Sequence, residues 1–220
     1  MTATGYESTP TIELNWALIL ASARHLAREA GAVRNGGWQT SIGANLRGKC
    51  LGVLGLGNIG KEVARIGLAF GMTVIAWSQN LTPEKCAEVG VGYVGKDDLF
   101  RQSDFISIHV VLSQRSRGLV GAKEIGLMKP TAYLINTSRG PIIDEAAMLA
   151  ALRDKKIAGA GLDVFDVEPL PLDHPLRKMD NVVITPHLGY VSTQNYKHYF
   201  SGVVEDIRGF LDGKPVRVMT

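Results

Sequence analysis

The stretch that most constrains this chain is residues 50–60, Cys-Leu-Gly-Val-Leu-Gly-Leu-Gly-Asn-Ile-Gly. A short apolar run ends there in Gly-x-Gly-x-x-Gly, and a helical pattern follows over 61–70. Each glycine has its own task in a strand-to-helix turn that holds a dinucleotide. Gly55 permits the tight turn, Gly57 lets the backbone approach a pyrophosphate with no Cβ between, and Gly60 lets the helix lie close on the strand. The first turn of that helix, with Asn58 and Ile59, offers free N–H groups and the positive end of its dipole to an anion. With 25 glycines in 220 residues the pattern alone carries little; its place between a strand and a helix carries much. A dinucleotide site is the expectation.

Downstream, apolar runs alternate with helical stretches. The pattern predicts strands at 73–77, 91–94, 105–110, 132–136, 159–164 and 182–185, and helices at 83–89, 97–102 and 144–153, the last capped by Asp144. Such alternation buries parallel strands on both faces. It predicts an α/β fold with a doubly wound parallel sheet of the Rossmann type. Upstream, one long helix is predicted over 10–34, with Thr9 as N-cap and Pro10 at its first position. It is apolar nearly all round, Ile12, Trp16 and Ile19 on one side and Leu18 and Ala21 on another, so it wants partners on two sides. The sheet is one; a second subunit, hence a homodimer, is the other. The last helix, over 195–212, aligns Tyr196, Tyr199, Phe200, Val203, Val204, Ile207, Phe210 and Leu211 on one stripe, and Gly213 ends it. The chain is expected to divide into a dinucleotide-binding domain over 1–190 and a C-terminal helical segment over 191–220.

Composition narrows the function. The 24 Lys and Arg and 21 Asp and Glu leave a net charge of +3, and the cations are scattered, so nucleic acid is not an expected partner. The longest apolar run, 16–23, is far too short to span a bilayer, and no signal peptide is expected. Cys50 and Cys86 lack the spacing of a redox or metal pair and read as reduced, in keeping with a cytoplasmic enzyme. No histidine has metal-ligand spacing with another donor, so no metal is expected.

Three later stretches carry candidate chemistry. Arg139 follows a strand in Ile-Asn-Thr-Ser-Arg-Gly-Pro; Asp163 and Glu168 lie at and beyond another in Gly-Leu-Asp-Val-Phe-Asp-Val-Glu-Pro; His187 lies beyond a third in Thr-Pro-His-Leu-Gly. Ligands of open α/β sheets bind beyond the carboxyl ends of strands, so these loops can converge on one site. Singly, each has a plain alternative: a surface ion pair for Arg139, a solvated acid for Glu168, a turn residue for His187. Ser78 ends the second strand, about 20 residues past the glycines, where an acid normally binds the adenosine ribose. Serine does not repel a 2′-phosphate, yet Gln79, Asn80 and Leu81 supply no arginine to welcome one. NAD is therefore favoured and NADP possible.

Taken together, Leu-Gly-Val-Leu-Gly-Leu-Gly-Asn-Ile-Gly (51–60), Asn-Thr-Ser-Arg-Gly (136–140), Gly-Leu-Asp-Val-Phe-x-x-Glu-Pro (161–169) and Thr-Pro-His-Leu-Gly (185–189) resemble the D-isomer-specific 2-hydroxyacid dehydrogenases in order and spacing. The resemblance implies an oxidoreductase that moves a hydride between a nicotinamide cofactor and a small 2-hydroxy or 2-keto acid. It implies that Arg139 grips the substrate, that Glu168 pairs with His187 as the acid/base, and that Asp163 lies near the nicotinamide amide. Val110, Thr137 and Gly189 fall among the cofactor contacts by the same resemblance, and His109 beside the cofactor, although a packing role suits His109 as well. Glu168 stands where the formate dehydrogenase branch carries an amide.

The resemblance also implies a further α/β substrate-binding domain, ahead of the long helix, onto which the last helix packs. Without that partner the 195–212 stripe is expected to fold back, dimerise or stay disordered. A second functional reading follows, an NAD-binding module with little or no catalysis, as in the corepressors called C-terminal-binding proteins, which share the family's fold.

Overall fold

Burial on both faces requires strands that are apolar throughout, and the short runs in this chain satisfy that. The computed structural model describes residues 7–218. Its strands are β1 (Cys50–Leu54), β2 (Thr73–Trp77), β3 (Gly92–Tyr93), β4 (Phe105–Ile108), β5 (Tyr133–Asn136), β6 (Gly159–Leu162) and β7 (Val182–Ile184). They form one all-parallel sheet in the order β3-β2-β1-β4-β5-β6-β7. The order reverses between β1 and β4, which opens a crevice at their carboxyl ends. This is the doubly wound Rossmann-type sheet that the alternation predicts.

The helices are α1 (Thr9–Ala23), α2 (Leu26–Arg34), α3 (Asn58–Ala69), α4 (Pro83–Ala87), α5 (Lys96–Gln102), α6 (Ala122–Leu127), α7 (Glu145–Arg153) and α8 (Thr193–Leu211). Alternate strand residues feed two cores. Leu54, Ile106, Ile108 and Leu134 meet Leu99, Phe100, Ile125, Met148 and Leu152 of α5, α6 and α7. Leu51, Val53, Phe105 and Ile135 meet Ile12, Trp16 and Ile19 of α1 and Val63 and Ala64 of α3. Period-two alternation thus sends one strand's side chains into both layers.

Several expectations need correction. The single helix over 10–34 is two helices, because His25 takes a left-handed conformation at φ 51°. The Ala23 carbonyl accepts the Ala44 N–H at 2.7 Å, so the returning loop replaces the next helical hydrogen bond. No Gly or Pro marks the break in the sequence. In the single chain α1 buries Ile12, Trp16, Leu18 and Ile19, whereas α2 buries none of its residues. Ser8 stands at the N-cap of α1 instead of Thr9, whose hydroxyl bonds to Glu7. The strand predicted over 105–110 leaves the ladder after Ile108, freeing His109 and Val110 to border the crevice. Helix α6 has no predicted counterpart; it is short, and its entry is fixed by the Gly121 N–H bonding to the Glu124 carboxylate at 3.0 Å. Asp144 caps α7 as expected, accepting from the Ala147 N–H at 3.0 Å.

Candidate active site

The glycine turn follows from sterics. Gly55 has φ +104°, and a Cβ there would stand 2.7 Å from the His109 carbonyl oxygen. A Cβ on Gly60 would stand 2.0 Å from the Gly55 carbonyl oxygen, so only glycine lets α3 press against the turn. Nothing lies within 4 Å of a Cβ built on Gly57, the N-cap of α3. The turn therefore presents open backbone and unpaired helix N–H groups to a cleft, a cradle that fits a pyrophosphate. Asn58 opens α3 at the exposed rim, and Ile59 points into the cleft.

The cleft has a volume of ≈ 980 Å³ and brings together Ile59, Val110, Thr137, Arg139, Asp163, His187 and Gly189. A groove of ≈ 390 Å³ containing Gly55, Gly57 and Ser78 shares His109, Val110 and Val111 with it. Gly60 is buried behind the turn. Three of the predicted loops thus meet over the switch point, as a reacting centre beside a nicotinamide would require.

Glu168 stands behind His187 and outside this cleft. One carboxylate oxygen, Oε2, lies 2.7 Å from His187 Nδ1, and the other accepts the Phe165 N–H at 2.9 Å. Burial raises the Glu168 pKa, but the His187 hydrogen bond, the Phe165 N–H and the charges of His187 and Arg139 outweigh it, so the carboxyl sits below its ordinary range. The contact through Nδ1 leaves Nε2 as the ring nitrogen free of Glu168. Tyr190 meets the imidazole edge-on at a centroid distance of 5.6 Å. Arg139 is exposed at the cleft wall, its guanidinium donating to its neighbour's carbonyl, Ser138 O, at 2.6 Å.

Asp163 holds the histidine turn. Fully buried, its carboxylate accepts the Thr185 hydroxyl at 2.6 Å, the Leu188 N–H at 2.7 Å and the Gly189 N–H at 2.8 Å. Those bonds fix a turn in which His187 has φ 56°, a left-handed conformation that a side chain bearing Cβ rarely adopts. The visible contacts of Asp163 are therefore to the turn, a positioning task the sequence reading did not give it.

These loops belong to a recognisable whole. Residues 16–189 match the model of the D-isomer specific 2-hydroxyacid dehydrogenase, NAD binding domain. The chain belongs to this family. It is 42% identical over 219 residues to the glyoxylate reductase of Aeropyrum pernix, covering 96% of this chain and 65% of that protein. It is 43% identical over 206 residues to the hydroxypyruvate reductase of Thermotoga maritima, covering 91% of this chain and 66% of that one. The crystal structure of a phosphoglycerate oxidoreductase from Vibrio cholerae O395 superposes with a TM-score of 0.90 at 33% identity, over 94% of this chain and 68% of that one. The chain thus spans about two thirds of the length of these relatives, just under it for the two reductases.

In this 2-hydroxyacid dehydrogenase domain, three supporting residues escaped the sequence reading. Asn136 fixes the arginine loop, its Nδ2 donating to the Arg139 carbonyl at 2.9 Å while its Oδ1 accepts the Ser138 N–H at 2.9 Å. Thr11 reaches from α1 to the Gly189 carbonyl at 2.8 Å. Asn15, fully buried, accepts from Ser107 at 2.8 Å and from Thr137 at 3.4 Å below the cleft floor. Only the asparagine beginning Asn-Thr-Ser-Arg-Gly was discoverable, as a polar residue ending an apolar strand. The other two act across more than ninety positions of sequence. His109 packs its Nε2 2.8 Å from Ser107 Oγ, and burial pushes its pKa down to about 3, so the ring is neutral between the groove and the cleft. Among the described residues, no group of three His, Cys, Asp or Glu side chains is arranged to hold a metal ion, and no helix is long and apolar enough to cross a membrane.

Proposed function

We propose that this chain carries the cofactor-binding and proton-transfer half of a D-specific 2-hydroxyacid dehydrogenase, acting on a small 2-keto or 2-hydroxy acid. The observation that carries the reading is the His187–Glu168 contact at 2.7 Å on the wall of a cleft that Arg139 also faces. A bound nicotinamide supplies the hydride. The chain's own part is then plain. Arg139, permanently charged and forked, binds a carboxylate and the adjacent keto oxygen, drawing electron density off that carbon. His187 gives its Nε2 proton to the oxygen as the alkoxide forms, and takes it back in oxidation. Glu168 orients the ring through its 2.7 Å contact with Nδ1, leaving Nε2 to face the substrate. Asp163 holds the turn and Gly189 beside the nicotinamide end, and Val110, Thr137 and Ile59 provide the rest of that wall.

The same reading extends to assembly and setting. Residues 1–190 act as the dinucleotide-binding unit, and the exposed stripe of the 191–220 segment is the face a substrate-binding domain would cover. Homodimerisation through the α1–α2 region is supported by the exposed Leu26 and Val33 and by Trp38 and Ile42 in the loop that follows. A cytoplasmic setting suits the free thiols of Cys50 and Cys86. The test is reduction of glyoxylate and hydroxypyruvate with NADH or NADPH, with cofactor binding measured in parallel. Turnover supports the reading; tight cofactor binding with no turnover on any 2-keto acid overturns it in favour of a binding module.

A further inference from the structure

The adenosine end of the groove decides between two cofactors that differ by one phosphate on the ribose 2′ oxygen. An acid at the end of the second strand binds both ribose hydroxyls and repels that phosphate. Here the position is Ser78, and the ≈ 390 Å³ groove continues past Gln79, Asn80 and Leu81 with no aspartate or glutamate in its wall. Two cations do line it. Lys85 comes from α4 and Arg115 from the loop after β4, so neither is visible in the segment next to Ser78. Neither is ion-paired with a carboxylate among the described residues. Two exposed, uncommitted cations facing a neutral groove beside a ribose pocket leave nothing anionic to displace.

Resting on the dinucleotide reading of this site, we propose that Lys85 and Arg115 form a 2′-phosphate subsite, with the Ser78 hydroxyl as a further donor, and that the chain binds NADP(H) more tightly than NAD(H). A dianionic phosphate offers acceptors to both a forked guanidinium and an ammonium point charge, while a bare ribose hydroxyl engages neither charge. The preference arises from tertiary proximity, since the two cations and Ser78 come from three separate segments.

Calorimetric titration with adenosine 2′,5′-bisphosphate tests this without any turnover, using adenosine 3′,5′-bisphosphate as a control of equal charge. The 2′,5′ isomer is expected to bind about tenfold or more tightly than the control, as charge-assisted hydrogen bonds allow. The Lys85→Ala, Arg115→Ala double variant should erase that difference and leave NADH affinity unchanged, and Lys85→Arg should keep it. Equal affinity for the two isomers, or a preference that survives the double variant, overturns the subsite while leaving the dinucleotide site intact if NADH still binds. Failure of both NADH and NADPH to bind overturns the dinucleotide reading itself, and the subsite with it.

Discussion

The histidine turn at 185–189 and helix α8 are neighbours in sequence but opposites in how they are completed. In the turn, a single buried carboxylate takes three donors, and the left-handed backbone at His187 is held entirely from within the chain. In α8, Asn195, Gly202 and Asp206 are buried, while Phe200, Phe210 and Leu211 are 67%, 74% and 76% exposed. The helix is nonetheless formed: Ser192 caps it by accepting the Asn195 N–H at 3.1 Å. Arg217 folds back beneath its last turns, bonding Asp206 at 2.8 Å and the Gly202 carbonyl at 2.9 Å. Of the three expectations for this stripe, disorder does not hold for the helix itself: it is formed, Arg217 returns to it by polar contacts, and its large apolar side chains are exposed in the single chain. Leaving such side chains in water forgoes about 1.5–3 kcal/mol each. The contrast teaches that polar geometry can be completed by a few directed bonds within one chain, whereas an apolar face needs a second surface of matching area.

The largest effect should come from breaking the turn's chemistry. His187→Ala is expected to lower turnover by about 10²–10⁴-fold with cofactor affinity preserved; unchanged turnover in steady-state assays would remove His187 from the mechanism. Next, Asp163→Ala orphans the Thr185 hydroxyl and the Leu188 and Gly189 N–H groups, and should cost about 2–4 kcal/mol in urea unfolding. A loss below about 0.5 kcal/mol would show that the turn does not depend on that carboxylate.

The acid response sharpens the same contrast across the cleft. His109 has a folded pKa of about 3 against an ordinary 6.5. Below about pH 6.5 the unfolded chain takes up a proton that the folded chain refuses, so stability falls as pH drops toward 3 and levels below it. Denaturation midpoints at pH 7 and pH 4.5 should therefore converge in His109→Gln relative to the parent; an identical pH slope would count against a ring held neutral. The smallest change belongs to α8. Phe210→Ser should alter stability by less than about 0.5 kcal/mol, as for an exposed site. A larger loss that grows with protein dilution would reveal that a second copy covers this face.

Much of the site was legible because its parts are short motifs with fixed chemistry. The glycine spacing, the arginine after a strand, and the histidine and glutamate in separate loops each mark a strand end, and strand ends of a parallel sheet converge. The role of Asp163 was harder to read, because the Asp163 turn contacts join residues more than twenty positions apart. The break at His25 was invisible for a similar reason: the Ala44 N–H that ends α1 comes from a loop with no local signature.

From the sequence alone came the alternation that dictates a doubly wound sheet, the cradle at Gly55 to Gly60 and the identities of the candidate reacting groups. Period and residue type are properties of neighbouring positions, so they can be read along the chain. Tertiary structure alone decided that Glu168 stands behind His187, that Asp163 ties the turn, and that Lys85 and Arg115 share a wall with Ser78. Those facts depend on how the sheet's twist and the loop returns bring distant segments within hydrogen-bond range, which no local pattern encodes.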